Sequence, residues 1–244
     1  EYSSNSRAKA YAGTGNRPVY ANPTGVLATS TSADNSLWTM SANLASSPDD
    51  LAGSDLAYTG SADDGYNQYT MPFSYIIEGS SYSTITICTN GWIAFGSITS
   101  TSCCPSGGLP QTFTTNPVIY PFFTDLYDYG SGENIRAYNY GASPNRVVIV
   151  HYKMKAYCGA SAPGSTWYLE FQVQIHENGL INVKYINMPA ALNGQLWNCS
   201  IDRNTIIGFQ LSGGSAAKVF PISYNAKVLD DNRMPESWSV SPVR

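Results

Sequence analysis

From Tyr69 onward, short β-branched and aromatic runs alternate with clusters of Gly, Asn, Pro and Ser, at the spacing of an antiparallel sandwich. The pattern predicts strands over Tyr69–Ile77, Thr84–Thr89, Trp92–Phe95, Val118–Phe123, Ile135–Tyr140, Arg146–Ala156, Thr166–His176, Leu180–Ile186, Ile206–Leu211 and Lys218–Ile222. Helical periodicity is nearly absent. Asn90-Gly91 and Asn178-Gly179 each offer the positive-φ pair of a type I′ hairpin turn. Ahead of the second, Phe171, Val173 and Ile175 share one face of a strand while Gln172, Gln174 and His176 share the other. That alternation predicts a sheet with one buried and one solvated side.

Before this region the pattern changes. Residues 1–64 are rich in Ser, Ala, Asn, Gly and Asp, and their apolar residues are scattered rather than periodic. Such a segment builds no core alone. It nevertheless carries Tyr20, Val26, Leu27, Leu37, Trp38, Met40, Leu44 and Leu51, more apolar content than a solvated linker shows. We expect an extended arm over residues 1–64 lying against a folded surface, its own or a neighbour's, with Tyr20, Val26, Leu27 and Trp38 as partner contacts. Residues 65–244 are expected to form the sandwich, all-β, antiparallel and jelly-roll-like.

Composition narrows the function. In 244 residues the charged share is only 12% and the net charge is -4, so Ser, Thr, Asn, Gly and Tyr supply most of the polarity. No Lys/Arg run offers the footprint that a phosphate backbone requires, which argues against nucleic acid. The longest apolar runs, such as Val147 to Val150, fall far short of the ~20 residues that span a bilayer. A chain beginning at Glu1 fits a removed leader or a segment of a longer protein. Five cysteines, Cys88, Cys103, Cys104, Cys158 and Cys199, lack paired zinc spacing and read as mostly disulfides in an oxidising compartment. The expected pairing joins Cys88 to one of Cys103 and Cys104, and Cys158 to Cys199, with adjacent cysteines bonding to different partners.

One motif order is familiar. Ile85-Thr86-Ile87-Cys88 leads into Thr89-Asn90-Gly91-Trp92-Ile93-Ala94-Phe95-Gly96, followed by Pro121-Phe122-Phe123-Thr124-Asp125-Leu126. Ser143-Pro144-Asn145-Arg146, then Phe171-Gln172-Val173-Gln174-Ile175-His176-Glu177-Asn178-Gly179 and Ile207-Gly208-Phe209-Gln210, complete it. This order resembles nidogen-like domains and related bacterial and archaeal secreted β-sandwich domains, over roughly residues 64–224. The resemblance implies attachment or assembly outside the cell and no catalytic constellation.

The residues themselves offer little for catalysis. His151 and His176 are the only histidines, and both are expected at the surface, His151 on the face of Lys153 and Lys155. Neither a Gly-x-Ser-x-Gly elbow nor a His-Glu-x-x-His pair occurs. No cofactor is expected except calcium, for which Asp125, Asp128 and Glu133, with Gly130 and Asn134 nearby, supply oxygen ligands. The competing reading is a polar hairpin loop, because the spacing of a helix-loop-helix calcium site is not met. Of the tryptophans, Trp92 is expected inside or at the sheet rim, and Trp167 and Trp197 as surface rings able to stack on sugars. Asn198-Cys199-Ser200 is a glycosylation sequon.

Two function classes follow. The first is a secreted, self-assembling surface or filament subunit in which the arm adds a strand to a neighbour's sheet. The second is a monomeric adhesin domain binding glycan or a surface protein. A secreted hydrolase is a distant third.

Overall fold

The computed structural model describes residues 9–12, 18–21, 25–26, 29–30, 38–42, 54–105, 109–130, 132, 134–157, 168–187, 205–214, 217–219 and 237–242. Leu27, Glu133, Cys158, Trp167, Trp197, Asn198 and Cys199 lie outside the described residues.

The strands, in chain order, begin with β1 (Lys9–Ala12), β2 (Pro18–Ala21), β3 (Gly25–Val26), β4 (Thr29–Ser30), β5 (Trp38–Ala42), β6 (Ser54–Asp55) and β7 (Thr59–Gly60). They continue with β8 (Gly65–Ile77), β9 (Ser80–Cys88), β10 (Trp92–Phe95), β11 (Val118–Phe123), β12 (Leu126–Tyr127), β13 (Asn134–Tyr140) and β14 (Val147–Ala156). Last come β15 (Leu169–His176), β16 (Ile181–Asn187), β17 (Ile206–Gln210), β18 (Ala217–Val219) and β19 (Ser237–Pro242). One sheet runs β4-β18-β17-β11-β10-β9-β8-β7 and the other β3-β5-β19-β16-β15-β14-β13-β6, with β12 also paired to β14 and β1-β2 forming a separate hairpin. The fold is an all-β antiparallel sandwich, as the strand pattern predicts. Among the described residues no helix is long and apolar enough to cross a membrane.

The core lies where the inward faces meet. In β8, Met71, Phe73, Tyr75 and Ile77 are buried while Pro72, Ser74 and Ile76 face out, the period-2 signature of a half-covered strand. These residues pack with Ile85, Ile87, Ile93, Phe95 and Phe122 of the first sheet against Val148, Val150, Tyr152, Phe171, Val173 and Trp238 of the second. Each such side chain contributes about 1.5–3 kcal/mol by leaving water. Tyrosine hydroxyls then tie the layers together. Tyr152 donates to the carbonyls of Cys88 and Trp92 at 3.1 and 3.3 Å, and Tyr185 to that of Pro121 at 2.6 Å.

β10 and β11 are buried on both faces. Their second face, with Trp92, Ala94, Val118, Tyr120 and Phe123, packs under Ile98, Leu109 and Phe113 of the β10–β11 connection, where the Trp92 and Phe113 rings sit 4.8 Å apart. Continuous apolar sequence is the result.

Three expectations are corrected. The Gln172 side of β15 is not wet: Gln172 and Gln174 are 0% and 1% exposed, and His151 is 3% exposed. Polarity alternates along these strands while exposure does not, because buried polar groups on this face bond to one another, although Gln174 Oε1 is buried without a hydrogen-bond partner. His151 Nε2 meets Glu170 Oε1 at 3.1 Å, its Nδ1 lies 3.4 Å from Gln172 Nε2, and Gln174 donates to Gln172 at 3.4 Å. Lys155, expected on a surface face with His151, is buried too. His176 is half-buried, with Asn182 Nδ2 3.2 Å from its Nε2, and burial lowers its pKa.

The turns also differ. At both Asn-Gly sites only the glycine takes positive φ, 73° at Gly91 and 94° at Gly179, so neither is type I′. The connections are Thr89-Asn90-Gly91 and Glu177-Asn178-Gly179, with Cys88 facing Trp92 and Gly179 N donating to His176 O at 3.0 Å. Among the described residues, the turn with two successive positive-φ residues is Glu78-Gly79, at 49° and 77°, between Ile77 and its partner Ser80.

Candidate functional site

Asn90 ends up inside the protein because its turn is folded under neighbouring segments. The backbone oxygen of Gly91 accepts from Phe122 N at 3.4 Å, and a Cβ on Gly91 would meet Phe122 O at 2.1 Å, so only glycine lets β11 approach this closely. Asn90 is then fully buried, and its amide becomes a hub. Its Nδ2 donates to Asp64 Oδ1 at 2.9 Å and to Thr101 O at 3.4 Å, while its Oδ1 accepts from Leu126 N at 2.9 Å. Three segments far apart in sequence are thereby brought to one corner: the turn 61–64, the loop 98–105 and the connection 124–125.

Each segment has a further anchor. Thr89 Oγ1 donates to the Asp63 carbonyl and accepts from Gly65 N at 3.0 Å. The buried indole of Trp92 donates to Ser102 O at 2.9 Å, fixing the loop just before Cys103. Asp125 O accepts from Tyr157 N at 3.0 Å, and Asp128 N donates to Ala62 O at 3.1 Å.

The corner gathers carboxylates. Burial first, and then the charges of Asp63 and Asp64, push the Asp125 carboxyl up to about 7. Asp63 is raised likewise by burial and by Asp64, and its Oδ1 is buried without a hydrogen-bond partner. Beside Asp125 stand Cys103 and Cys104, with Cys104 Sγ 4.0 Å from Asp125 Oδ2. Just beyond, Tyr127 packs 4.4 Å from Tyr129 and 5.8 Å from Tyr157, ring centroid to centroid, all three half-buried. Lys155 Nζ lies 5.9 Å from the Tyr129 ring.

The expected site residues distribute unevenly over this corner. Asp125 and Asp128 flank β12, but the acids facing Asp125 are Asp63 and Asp64, while Asp128 Oδ1 accepts from Gly130 N at 2.8 Å and caps its own turn. Cys103 and Cys104 are bonded to each other, not to different partners, and Cys88 is a free, fully buried thiol that burial pushes up to about 12. The expected Cys88 pairing is therefore corrected. Cys88 lies on β9 inside the second apolar cluster, to which Leu109 also belongs. Tyr20, Val26 and Trp38 fall on β2, β3 and β5, at positions where only the backbone is described. Missed from the sequence were Asp63 and Asp64 as the charges that act on Asp125, and Asn90 as the hub that bonds Asp64, Thr101 and Leu126. The one available signal was the adjacent Asp63-Asp64 pair just before a strand.

Both ring nitrogens of His151 are engaged within the buried polar face, by Glu170 and Gln172. The imidazole serves there as a link between side chains.

Comparison with curated proteins and with solved structures returns no match. The family model described as NIDO related matches residues 39–228, well over half of the chain and including every strand that frames the Asn90 corner. This chain belongs to the NIDO-related family.

Proposed function

We propose that the protein is an extracellular structural or adhesive subunit that assembles by exchanging its N-terminal strands with a neighbouring copy. The observation that carries this reading is where those strands pair. β4 sits on β18 at the end of one sheet, and β5, flanked by β3, covers β19 toward the end of the other. The arm thus completes an edge of both sheets. An edge strand is held by backbone hydrogen bonds that any chain of the right register can supply, so the arm of a second copy fits the same place. Passed from copy to copy in one direction, such a contact gives an open fibre. Low charge favours close approach of subunits, and membership of the NIDO-related family supports an extracellular matrix or adhesive role.

The test is deletion of residues 1–52, with negative-stain imaging of full-length and shortened protein. Fibres or higher oligomers are expected from the full chain, and monomers from the shortened one. Assembly unchanged by the deletion would refute the proposal.

A second reading is favoured by the Tyr127, Tyr129 and Tyr157 rings clustered beside the acidic corner. Tyrosine combines a flat face for stacking with a hydroxyl for hydrogen bonding, which suits a glycan. On this reading the protein is a monomer. Binding to a glycan array that Tyr127→Ala abolishes would support it, and a featureless array would remove it.

A further inference from the structure

The same corner holds three metal-binding groups in close order. We propose that Cys103, Cys104 and Asp125 form a redox-gated site for a thiophilic divalent cation of the zinc and cadmium class, closed as the disulfide and open as the dithiol. The two sulfurs and one Asp125 carboxylate oxygen all lie within 4.8 Å of one another. With metal–sulfur bonds of about 2.3 Å and metal–oxygen bonds of about 2.0–2.2 Å, two donors on one ion sit no more than about 4.6 Å apart. Small side-chain rotations after reduction therefore suffice to bring all three onto one ion. Two thiolates supply soft donors and the carboxylate a hard one, an anionic set of the kind zinc accepts, leaving a fourth tetrahedral position for water.

The backbone under this set is held independently of the disulfide. Ser102 O is fixed by the Trp92 indole and Thr101 O by Asn90, on the cysteine side. Asp125 O is fixed by Tyr157 N, and the next residue by Asn90 Oδ1, on the acid side. Reduction thus frees the sulfurs without freeing the loop that carries them.

Exposure makes the pair reachable. Cys104 is exposed and Cys103 half-buried, whereas Cys88 is sealed in the core. The reductant is a small thiol. Its thiolate attacks Cys104 Sγ, the S–S bond breaks, and Cys103 leaves as a thiolate that takes up a proton. A second small thiolate then attacks the small-molecule sulfur of the mixed disulfide, the small-molecule disulfide forms, and Cys104 leaves as a thiolate that takes up the second proton. Two electrons and two protons have passed to the protein. A divalent cation replaces the two thiol protons, which go to solvent, and takes the Asp125 carboxylate as third ligand.

The experiment uses the full chain, reduced with a phosphine that is then removed without air, and titrated with cadmium. Sulfur-to-cadmium charge-transfer absorbance and bound metal are both read. Reduced wild type should bind one more cadmium per chain than the Cys103→Ser, Cys104→Ser double variant, with the band present only in wild type. The oxidised protein should lack that ion. Asp125→Asn should weaken it about tenfold or more. Equal binding by reduced wild type and the double variant, equal binding by oxidised protein, or an unchanged Asp125→Asn affinity would each overturn the proposal. A readout on wild type alone guards against misfolded variants: cadmium should protect Cys103 and Cys104 from alkylation in peptide mapping, and equal labelling with and without cadmium would likewise overturn it.

Discussion

Asn90 holds the corner through a side chain that has no water to fall back on. Replacing it with Ala strands the Leu126 N–H and removes the donor to Asp64 and Thr101. With net values of about 0.5–1.5 kcal/mol for a typical bond and more for a stranded group, Asn90→Ala should cost about 2–4 kcal/mol in urea unfolding. A loss under about 0.5 kcal/mol would show that the hub is not formed. Its neighbour is constrained by geometry. At φ 73°, with Phe122 O where a Cβ would go, Gly91→Ala combines a disfavoured conformation with a backbone clash. It should cost more than about 2 kcal/mol, against a much smaller loss for Gly79→Ala, where the Cβ meets open space. At the opposite end, Arg146 clasps Glu177 through two side-chain contacts, at 2.9 and 2.5 Å, and by its backbone N–H. These bonds hold the Glu177 carboxyl at about 2, below its ordinary 4.5. Because the folded value is the lower one, the stabilisation is complete above about pH 4.5 and fades as pH falls toward 2. Melting of wild type and Glu177→Gln should therefore differ at pH 6 and converge as the pH approaches 2, and a constant offset across that range would contradict the linkage.

At the level of elements, the tyrosines explain themselves as rivets. Tyr185 Oη donates to Pro121 O and accepts from the buried Trp238 indole at 3.0 Å, joining β16, β19 and β11 across the core. Tyr185→Phe removes both hydrogen bonds from a buried site and should lower stability by about 1–3 kcal/mol, read from the denaturant midpoint. Most strands were legible because their apolar residues recur with a period of two or run continuously. Trp92–Phe95 and Val118–Phe123 match their predicted bounds. β12 was hidden because two residues carry no period, and β19 because Trp238 and Val240 alternate within a Ser- and Pro-rich stretch. Solvation of the Gln172 face was misread for a physical reason. Hydrogen bonds between polar side chains, along one strand and across to its neighbour, offset the cost of burying them, and periodicity reports polarity alone. The corner was half legible. Asp125 stood out by its spacing to Asp128, but its approach to Asp63, Asp64 and Cys104 depends on Asn90 joining segments separated by 26 and 36 residues, which no local pattern records.

For the molecule as a whole, the arrangement separates two kinds of surface. One is the fixed corner at Asn90, built from long-range bonds. The other is a pair of sheet edges completed by short N-terminal strands, whose attachment is the backbone pairing on which the proposed exchange between copies rests. Strand exchange is tested most directly at one register position, where Ser41 of β5 faces Ser239 of β19. Chains carrying Ser41→Cys alone and Ser239→Cys alone would be mixed under assembly conditions, oxidised and analysed by peptide mapping. The account predicts a disulfide between residue 41 of one chain and residue 239 of another. A bridge that forms only within a single chain bearing both substitutions, and never between the mixed chains, would contradict it.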